Sequence, residues 1–308
     1  MTGGQGAVDE ARADSIAASA RAGVRVEVLG SGSYADARHI FDTVWPSPDG
    51  CTQVQANLLR ALDHAGGLVS AAYDDASGDL LGAALAFPGR HRRVDGRWEE
   101  HLHSHMAASV VAARDRGIGT ALKLHQRWWA LEREIPVIAW TFDPIVRRNA
   151  WLNLVKLGVE VAEFHRDFYG EMADAINAGD PTDRLLAWWV LGSRRAADAA
   201  HGDIRPEPAE SWASRGAVWL LRERDGRPLE AGVDESAPAL MVALPEDVVA
   251  LRGRNPQVAA AWRMAVRGAI EAGLGVGYRV DTVTAEGAYV LSRGQLPVVP
   301  RPADSSRP

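Results

Sequence analysis

Apolar and polar positions alternate at period two along Val24-Arg-Val-Glu-Val-Leu29, and the β-branched content predicts a first strand. Tyr34 to Trp45 and Gln53 to Ala65 repeat near the helical period and are split by the breaker Pro46-Ser47-Pro48-Asp49-Gly50. Two strands follow, Leu68 to Tyr73 and Leu80 to Phe87, joined as a hairpin through the turn-rich Asp74 to Gly78. His101 to Ala113 reads as a long strand. From Thr120 to Arg133, Leu122, Leu124, Trp128, Trp129 and Leu131 fall near the 3.6-residue repeat of a helix. A strand at Val137 to Phe142, a helix at Val146 to Leu157 and a strand at Val159 to Phe168 complete an α/β pattern.

From Pro181 onward a second pattern begins. Leu185 to Leu191 is a strand, and the polar, proline-containing stretch from Arg194 to Ser214 reads as a linker. Ala217 to Leu221 and Leu240 to Leu244 read as strands, Glu246 to Arg252 and Pro256 to Ala272 as helices. Tyr278 to Thr284 with Ala288 to Leu291 reads as a closing hairpin. The predicted organisation is a disordered lead-in over 1–22, an α/β domain over 23–192, a linker over 193–214, a smaller α/β region over 215–294 and a disordered tail over 295–308.

The 308 residues leave room for about two domains, and 47% apolar with 24% charged residues describes a globular chain. A net charge of −6 argues against a nucleic-acid partner, which needs a basic surface. The single cysteine, Cys51, cannot close an internal disulfide and follows a turn, so it reads as a structural thiol. No run of 18 apolar residues is present, and Met1 to Ala20 lacks an apolar stretch behind basic residues. The expected location is cytoplasmic, with no membrane contact.

The chemistry concentrates at Ala113-Arg-Asp-Arg-Gly117-Ile-Gly119-Thr-Ala-Leu-Lys123, between the long strand and the helix. Gly117 and Gly119 lack the Cβ atoms that would stop a backbone from turning tightly against a ligand. A glycine turn that opens a helix directs unpaired N–H groups and the positive dipole end at one spot, which suits a pyrophosphate. The plain alternative is a glycine cap on an ordinary helix. No Gly-Lys-Ser/Thr follows, so this is not a Walker loop, and the six-residue dinucleotide fingerprint is also absent.

Arg114-x-x-Gly117-x-Gly119 resembles the acyl-CoA motif of the GNAT superfamily. His103-Ser-His105-Met106, Trp140-Thr-Phe-Asp-Pro144, Arg148-Asn149-Ala-Trp-Leu-Asn153-x-x-Lys156-Leu-Gly158, Tyr169-Gly170 and Pro181-Thr-Asp-Arg184-Leu185 extend the likeness over residues 24–192. Together they resemble a subgroup of predicted acetyltransferases that includes amino-acid N-succinyltransferases. The resemblance implies a mixed, mostly antiparallel splayed sheet flanked by helices, and transfer of an acetyl or succinyl group from CoA to the amine of a small molecule, such as an amino acid. It implies acetyl-CoA, succinyl-CoA or another acyl-CoA as co-substrate, with no metal, and leaves room for a homodimer. The rivals are an inactive acyl-CoA sensor or docking module and a protein N-acetyltransferase.

In such a fold the pantetheine arm enters between two parting strands. Backbone groups of Val110, Val111 and Ala112 then pair with it, and Arg116, Gly117, Ile118, Gly119 and Thr120 hold the pyrophosphate, with charge from Arg114, Arg116 and Lys123. Asn149 and Asn153, four residues apart, share a helical face toward CoA or the acceptor. His101, His103 and His105 occupy one strand face; the resemblance makes His103 or His105 the general base, and a metal site on the three lacks a further ligand at a recognised spacing. The family's general-acid tyrosine corresponds to Leu154 here, so Tyr169 is the nearest substitute. A substrate carboxylate would meet Arg184 or Arg148, beside Asp143 at the end of the splayed strand. For each of these residues the plain reading is a solvated or packed side chain.

Overall fold

Seven strands form the larger sheet in the order β1-β2-β3-β4-β5-β7-β6. They are β1 (Val24–Val28), β2 (Leu68–Asp74), β3 (Leu80–Arg92), β4 (Trp98–Ser109), β5 (Val137–Phe142), β6 (Glu160–His165) and β7 (Arg184–Val190). The computed structural model describes residues 2–30, 32–47, 50–92, 97–170 and 180–293, so the tail predicted over 295–308 lies outside the described residues. All neighbours in this sheet are antiparallel except β4 and β5. The mixed, mostly antiparallel sheet implied by the sequence is therefore present.

Helices α2 (Tyr34–Val44) and α3 (Ala56–His64) cover one face of β2 and β3, burying Tyr34, Ile40, Phe41 and Leu59 against Val69, Ala71, Ala83 and Leu85. On the other face lies α4 (Ile118–Leu131), followed after β5 by α5 (Arg147–Trp151) and a π-helical turn over Leu152–Lys156. Small residues on β3 let α4 approach closely: a Cβ on Gly82 would stand 2.9 Å from the Ala108 carbonyl and 3.0 Å from Ile118 Cγ2.

Two stretches differ from expectation. The predicted disordered lead-in is a helix, α1 (Thr2–Ala22), packed over α4 with Ala11, Asp14, Ser15 and Ala18 buried. Its apolar face is built of alanines, which carry too little bulk to mark a period in the sequence. The predicted linker contains α6 (Arg194–His201) and α7 (Ala209–Ser214). Ser193 caps α6 by accepting the Ala196 N–H at 3.2 Å, and Ala196 and Ala199 are buried.

The C-terminal region carries a five-stranded sheet, β11-β12-β10-β8-β9, from β8 (Val218–Arg224), β9 (Arg227–Glu230), β10 (Ala239–Val242), β11 (Arg279–Val283) and β12 (Tyr289–Ser292). The sequence reading missed β9, although Asp225-Gly226, both at positive φ, is a strong hairpin turn. Helices α8 (Val248–Arg254) and α9 (Pro256–Gly275) complete the region. One continuous apolar core runs from Ala18 and Leu122 through Trp189 to Trp262, Tyr278 and Leu291, so the two regions form a single packed body. Among the described residues no helix is long and apolar enough to cross a membrane.

Candidate active site

β4 and β5 are bonded through two pairs alone, Leu102 with Ile138 and His103 with Ala139. Beyond them β4 continues to Ser109 along β3, while β5 continues to Phe142 along β7. A register shift of β4 against β3 leaves His105 as an extra, unpaired residue, a bulge that turns β4 away from β5. The result is a wedge with its apex at His103 and Ala139, opening toward the C-terminal ends of both strands. Main-chain polar groups on the facing edges of such a wedge can bond an extended ligand that carries amides.

The wedge opens toward the N-terminus of α4, because β4 leads through a 3₁₀ turn (Val111–Ala113) directly into it. Asp115 and Gly117 take φ of 65° and 89°, on either side of Arg116, and Gly117 is the N-cap of α4 with no side chain capping the helix. The first N–H groups of α4 thus have no intrahelical acceptor. A Cβ on Gly117 would meet nothing within 4 Å, and one on Gly119 only Leu152 Cδ2 at 3.9 Å, so the space before the helix is open. Gly117 to Thr120, where an anion was expected, form an uncapped helix start, and Arg114, Val111 and Ala112 are exposed beside it.

Other predicted cradle groups are engaged elsewhere. The Val110 N–H donates to the Leu81 carbonyl at 2.9 Å, and its own carbonyl accepts from Ala113, so Val110 belongs to the β3–β4 ladder. The Arg116 guanidinium turns back to the carbonyls of Ala22 and Gly23 at 3.0 and 3.1 Å and pairs with Asp74 at 2.8 Å, tying the loop to the start of β1. Its side chain fixes the turn.

Lys123 lies inside the protein, away from the mouth of the wedge. Its ammonium donates to Ser104 Oγ at 2.8 Å and stands 3.6 Å from the centre of the Trp140 ring. Ser104 donates to Gln126 Oε1 at 2.9 Å, and Trp140 Nε1–H donates to Asn153 Oδ1 at 3.2 Å. Ser104 and Trp140 are the first residues beyond the last β4–β5 pair on their strands, so this network closes the apex from the α4 side. Burial pushes the Lys123 amine down to about 7.

The opposite face of the apex carries His101, His103 and His105. Their rings follow one another at 6.4 and 6.0 Å, Phe87 touches His103 and His105, and Trp188 lies 5.5 Å from His101. Burial, then the nearby charges of His105, His101 and Lys123, pushes His103 down to about 4. His105 is exposed to solvent, unlike its half-buried neighbours, and the protein beside its ring lowers its pKa. Both imidazoles are neutral at pH 7 and able to accept a proton. Among the described residues no group of three His, Cys, Asp or Glu side chains is arranged to hold a metal. Across the wedge on this same face, Tyr169 shares a 3.0 Å hydrogen bond with Thr141, two residues past Ala139 on β5.

The structure reassigns several expected substrate contacts. Asp143 is held by Arg263 of α9 through two bonds of 3.1 and 2.9 Å and by the Ile145 N–H, leaving it no role as a free substrate group. Arg184 is buried beneath the Tyr169 ring and donates to the Asp183 carbonyl at 2.8 Å. Arg148 is exposed, as the sequence reading allowed. Asn153 is buried with Trp140 rather than turned to a ligand, while Asn149 stays partly open. Leu154, at the position where a tyrosine was the expectation, is fully buried in the core. Sequence reasoning did not find the Lys123–Ser104–Trp140 cluster or the arginines of α9, because each meets its partners only through the tertiary fold.

No family model matches the sequence, and no curated protein matches it. Solved structures with a similar chain course include the ribosomal-protein-S18-alanine N-acetyltransferase of Escherichia coli, at 13% identity over 55% of this chain and 94% of that one, with a TM-score of 0.41. A GNAT family acetyltransferase of Elizabethkingia anophelis with acetyl-CoA bound matches at 15% identity over 55% of this chain and 98% of that one, with a TM-score of 0.39. A GNAT family acetyltransferase of Streptococcus pneumoniae matches at 13% identity over 54% and 98%, with a TM-score of 0.41.

Proposed function

We propose that this chain is an acyl-CoA-dependent N-acyltransferase that moves an acetyl or succinyl group to the amine of a small molecule. The observation that carries the reading is the coincidence of two features: the β4–β5 wedge and the uncapped, glycine-opened N-terminus of α4 lie at the same strand ends. An acyl-CoA is a ligand with a pyrophosphate at one end, an extended amide-bearing arm and a thioester at the other. With the pyrophosphate at Gly117 to Thr120, the arm runs into the wedge and the thioester reaches the apex.

At the apex an acceptor amine would lose its proton to His103 or His105, both neutral at pH 7. The amine nitrogen bonds to the acyl carbon, and charge on the carbonyl oxygen is met by backbone N–H groups of β4. The C–S bond breaks, and the sulfur takes a proton from Tyr169 or water. Holding amine and thioester together supplies much of the acceleration. The arginines of α9, closing over the ends of β5 and β7, favour an enclosed pocket for a small acceptor over a protein chain. Exposed Arg148 is the remaining partner for a substrate carboxylate, as an amino acid or a succinyl group would require.

The test is thiol release from acetyl-, succinyl- and longer acyl-CoAs against a pool of D- and L-amino acids and other amines, with CoA binding followed in parallel. Acceptor-dependent release supports the reading and identifies the acceptor; absence of CoA binding overturns it. The buried Leu154 favours a second reading, an acyl-CoA sensor without turnover, and tight CoA binding with no release from any pair would support that one.

A further inference from the structure

The acceptor side of the wedge is walled by rings on both flanks. On the β4 flank Phe87, half-buried, has its ring centre 5.2 Å from that of His103 and 5.6 Å from that of His105. On the β5 flank Phe168 and Tyr169 meet edge to face at 4.7 Å and stay 45% and 40% exposed. The hydrogen bond of Tyr169 to Thr141 fixes that pair against β5, and the Arg184 guanidinium lies 5.3 Å from the Tyr169 ring. Both flanks belong to one sheet face: Phe87 pairs with His103, His103 with Ala139, and Thr141 stands two residues past Ala139. Two adjacent large rings left open to water forgo the gain of burial, and such an apolar patch beside a cleft marks a binding surface.

We propose that the acceptor is an amine that carries an aromatic ring, with the ring held between Phe87 and the Phe168–Tyr169 pair while the nitrogen reaches His103 and His105; this rests on the acyl-CoA reading of the wedge. Aromatic faces carry negative charge density, so they attract the edge of a substrate ring and an ammonium alike. That suits an amine which must arrive protonated and then give its proton up. A carboxylate set against the nitrogen would hold the ammonium form and oppose that loss. The carboxylates on this sheet face, Glu160 and Glu163, stand on β6, two strands past β5, and Glu163 pairs with His165 at 2.9 Å. Phe87 and Phe168 thus select the acceptor and take no part in the bond-making steps.

Two matched amines are the probes, 2-phenylethylamine and 2-cyclohexylethylamine, titrated calorimetrically into the CoA-saturated wild type, Phe87→Leu and Phe168→Leu. The cyclohexyl compound is the more apolar, so burial alone would favour it, and a preference for the phenyl compound isolates the contribution of the ring. The expected result is phenylethylamine binding at least about fivefold tighter on the wild type, a preference that falls to about twofold or less in either variant. Cyclohexylethylamine affinity should stay within about threefold throughout. Phe168→Leu changes an exposed position and serves where Phe87→Leu does not fold. Phenylalanine forms a third arm: binding as tight as that of phenylethylamine makes the acceptor an aromatic amino acid, weaker binding makes it an amine without a carboxylate, and either supports the inference. Equal affinities for the two amines on the wild type, or no binding of either, would overturn the inference while leaving the acyl-CoA reading intact. Failure of the wild type to bind CoA would overturn that reading, and the inference with it.

Discussion

Arg263 of α9 grips Asp143 at the end of β5 with two parallel bonds, Nη1 to Oδ1 at 3.1 Å and Nη2 to Oδ2 at 2.9 Å. The arginine is nearly shut off from water, and it also meets Asp180. One turn further along α9, Arg267 bonds Asp183 and pairs with Asp167, and beyond it Glu271 pairs with Arg166. Tyr289 adds a bond from its hydroxyl to the Pro144 carbonyl at 2.9 Å. This charged edge fastens the C-terminal region to the loops after β5 and β6, beside the wedge. Removing Asp143 strips two bonds from a buried guanidinium and leaves it Asp180 as a carboxylate partner, so Asp143→Ala should lower stability by about 2 kcal/mol, read by denaturant unfolding. Arg263→Met combined with Asp143→Leu should recover much of that loss. Cost-free loss of Asp143 would mean that the pair does not hold the regions together.

Gly117 tests the cradle. Its φ of 89° disfavours any L side chain, while the space around its Cβ position is open. Gly117→Ala should therefore cost about 1 kcal/mol from backbone strain alone. Gly117→Glu places a carboxylate before the N-terminus of α4 and should weaken CoA binding at least about a hundredfold by displacing and repelling the pyrophosphate. Calorimetric titration separates the two effects. Equal CoA affinity for the wild type and the glutamate variant would remove the pyrophosphate from this turn.

The strands of the larger sheet and the glycine turn were legible in the sequence because period-two alternation and paired glycines are local signals. Helix α1 was not, since alanines mark its buried face and its polar anchor, Asp14 with Arg127 at 2.7 Å, spans 113 residues. Lys123 was misread as a charge at the mouth of the wedge. It follows Gly117 by six residues, and at about 100° per residue that carries its side chain well round the helix and onto the sheet. Asp143 was legible as the end of a strand, but its partner stands 120 residues away, and no spacing rule connects them.

The buried imidazoles set the acid side of the stability profile. Burial pushes His101, His103 and His125 each down to about 4 in the folded protein, below the ordinary value of 6.5 that they regain on unfolding. Between those values the unfolded chain binds more protons, so stability is full above about pH 6.5 and falls as pH drops toward 4. Thermal unfolding should give a flat midpoint from pH 7 to 8 and a steady decline below 6.5. His125→Leu, which removes a ring set edge-on to Trp128 at 5.6 Å, should make the decline shallower. An unchanged slope would exclude His125 as a contributor.

The same shifts govern turnover if His103 or His105 accepts the acceptor proton. A base with a free imidazole's pKa would give an acid limb of kcat/KM near 6.5, whereas these two, lowered by burial, place it below that. Truncating the residue that acts as base should cost about 10²–10⁴ in kcat while CoA affinity stays close to wild type, and should remove the limb. Truncating its neighbour also relieves the charge that His105 places on His103, so His105→Ala moves a limb belonging to His103 upward instead of abolishing it. Tyr169→Phe, which takes away the hydroxyl bonded to Thr141, should lower kcat and leave the limb in place, since that hydroxyl serves the departing sulfur and not the amine. An acid limb unmoved by either histidine substitution would put the base outside β4.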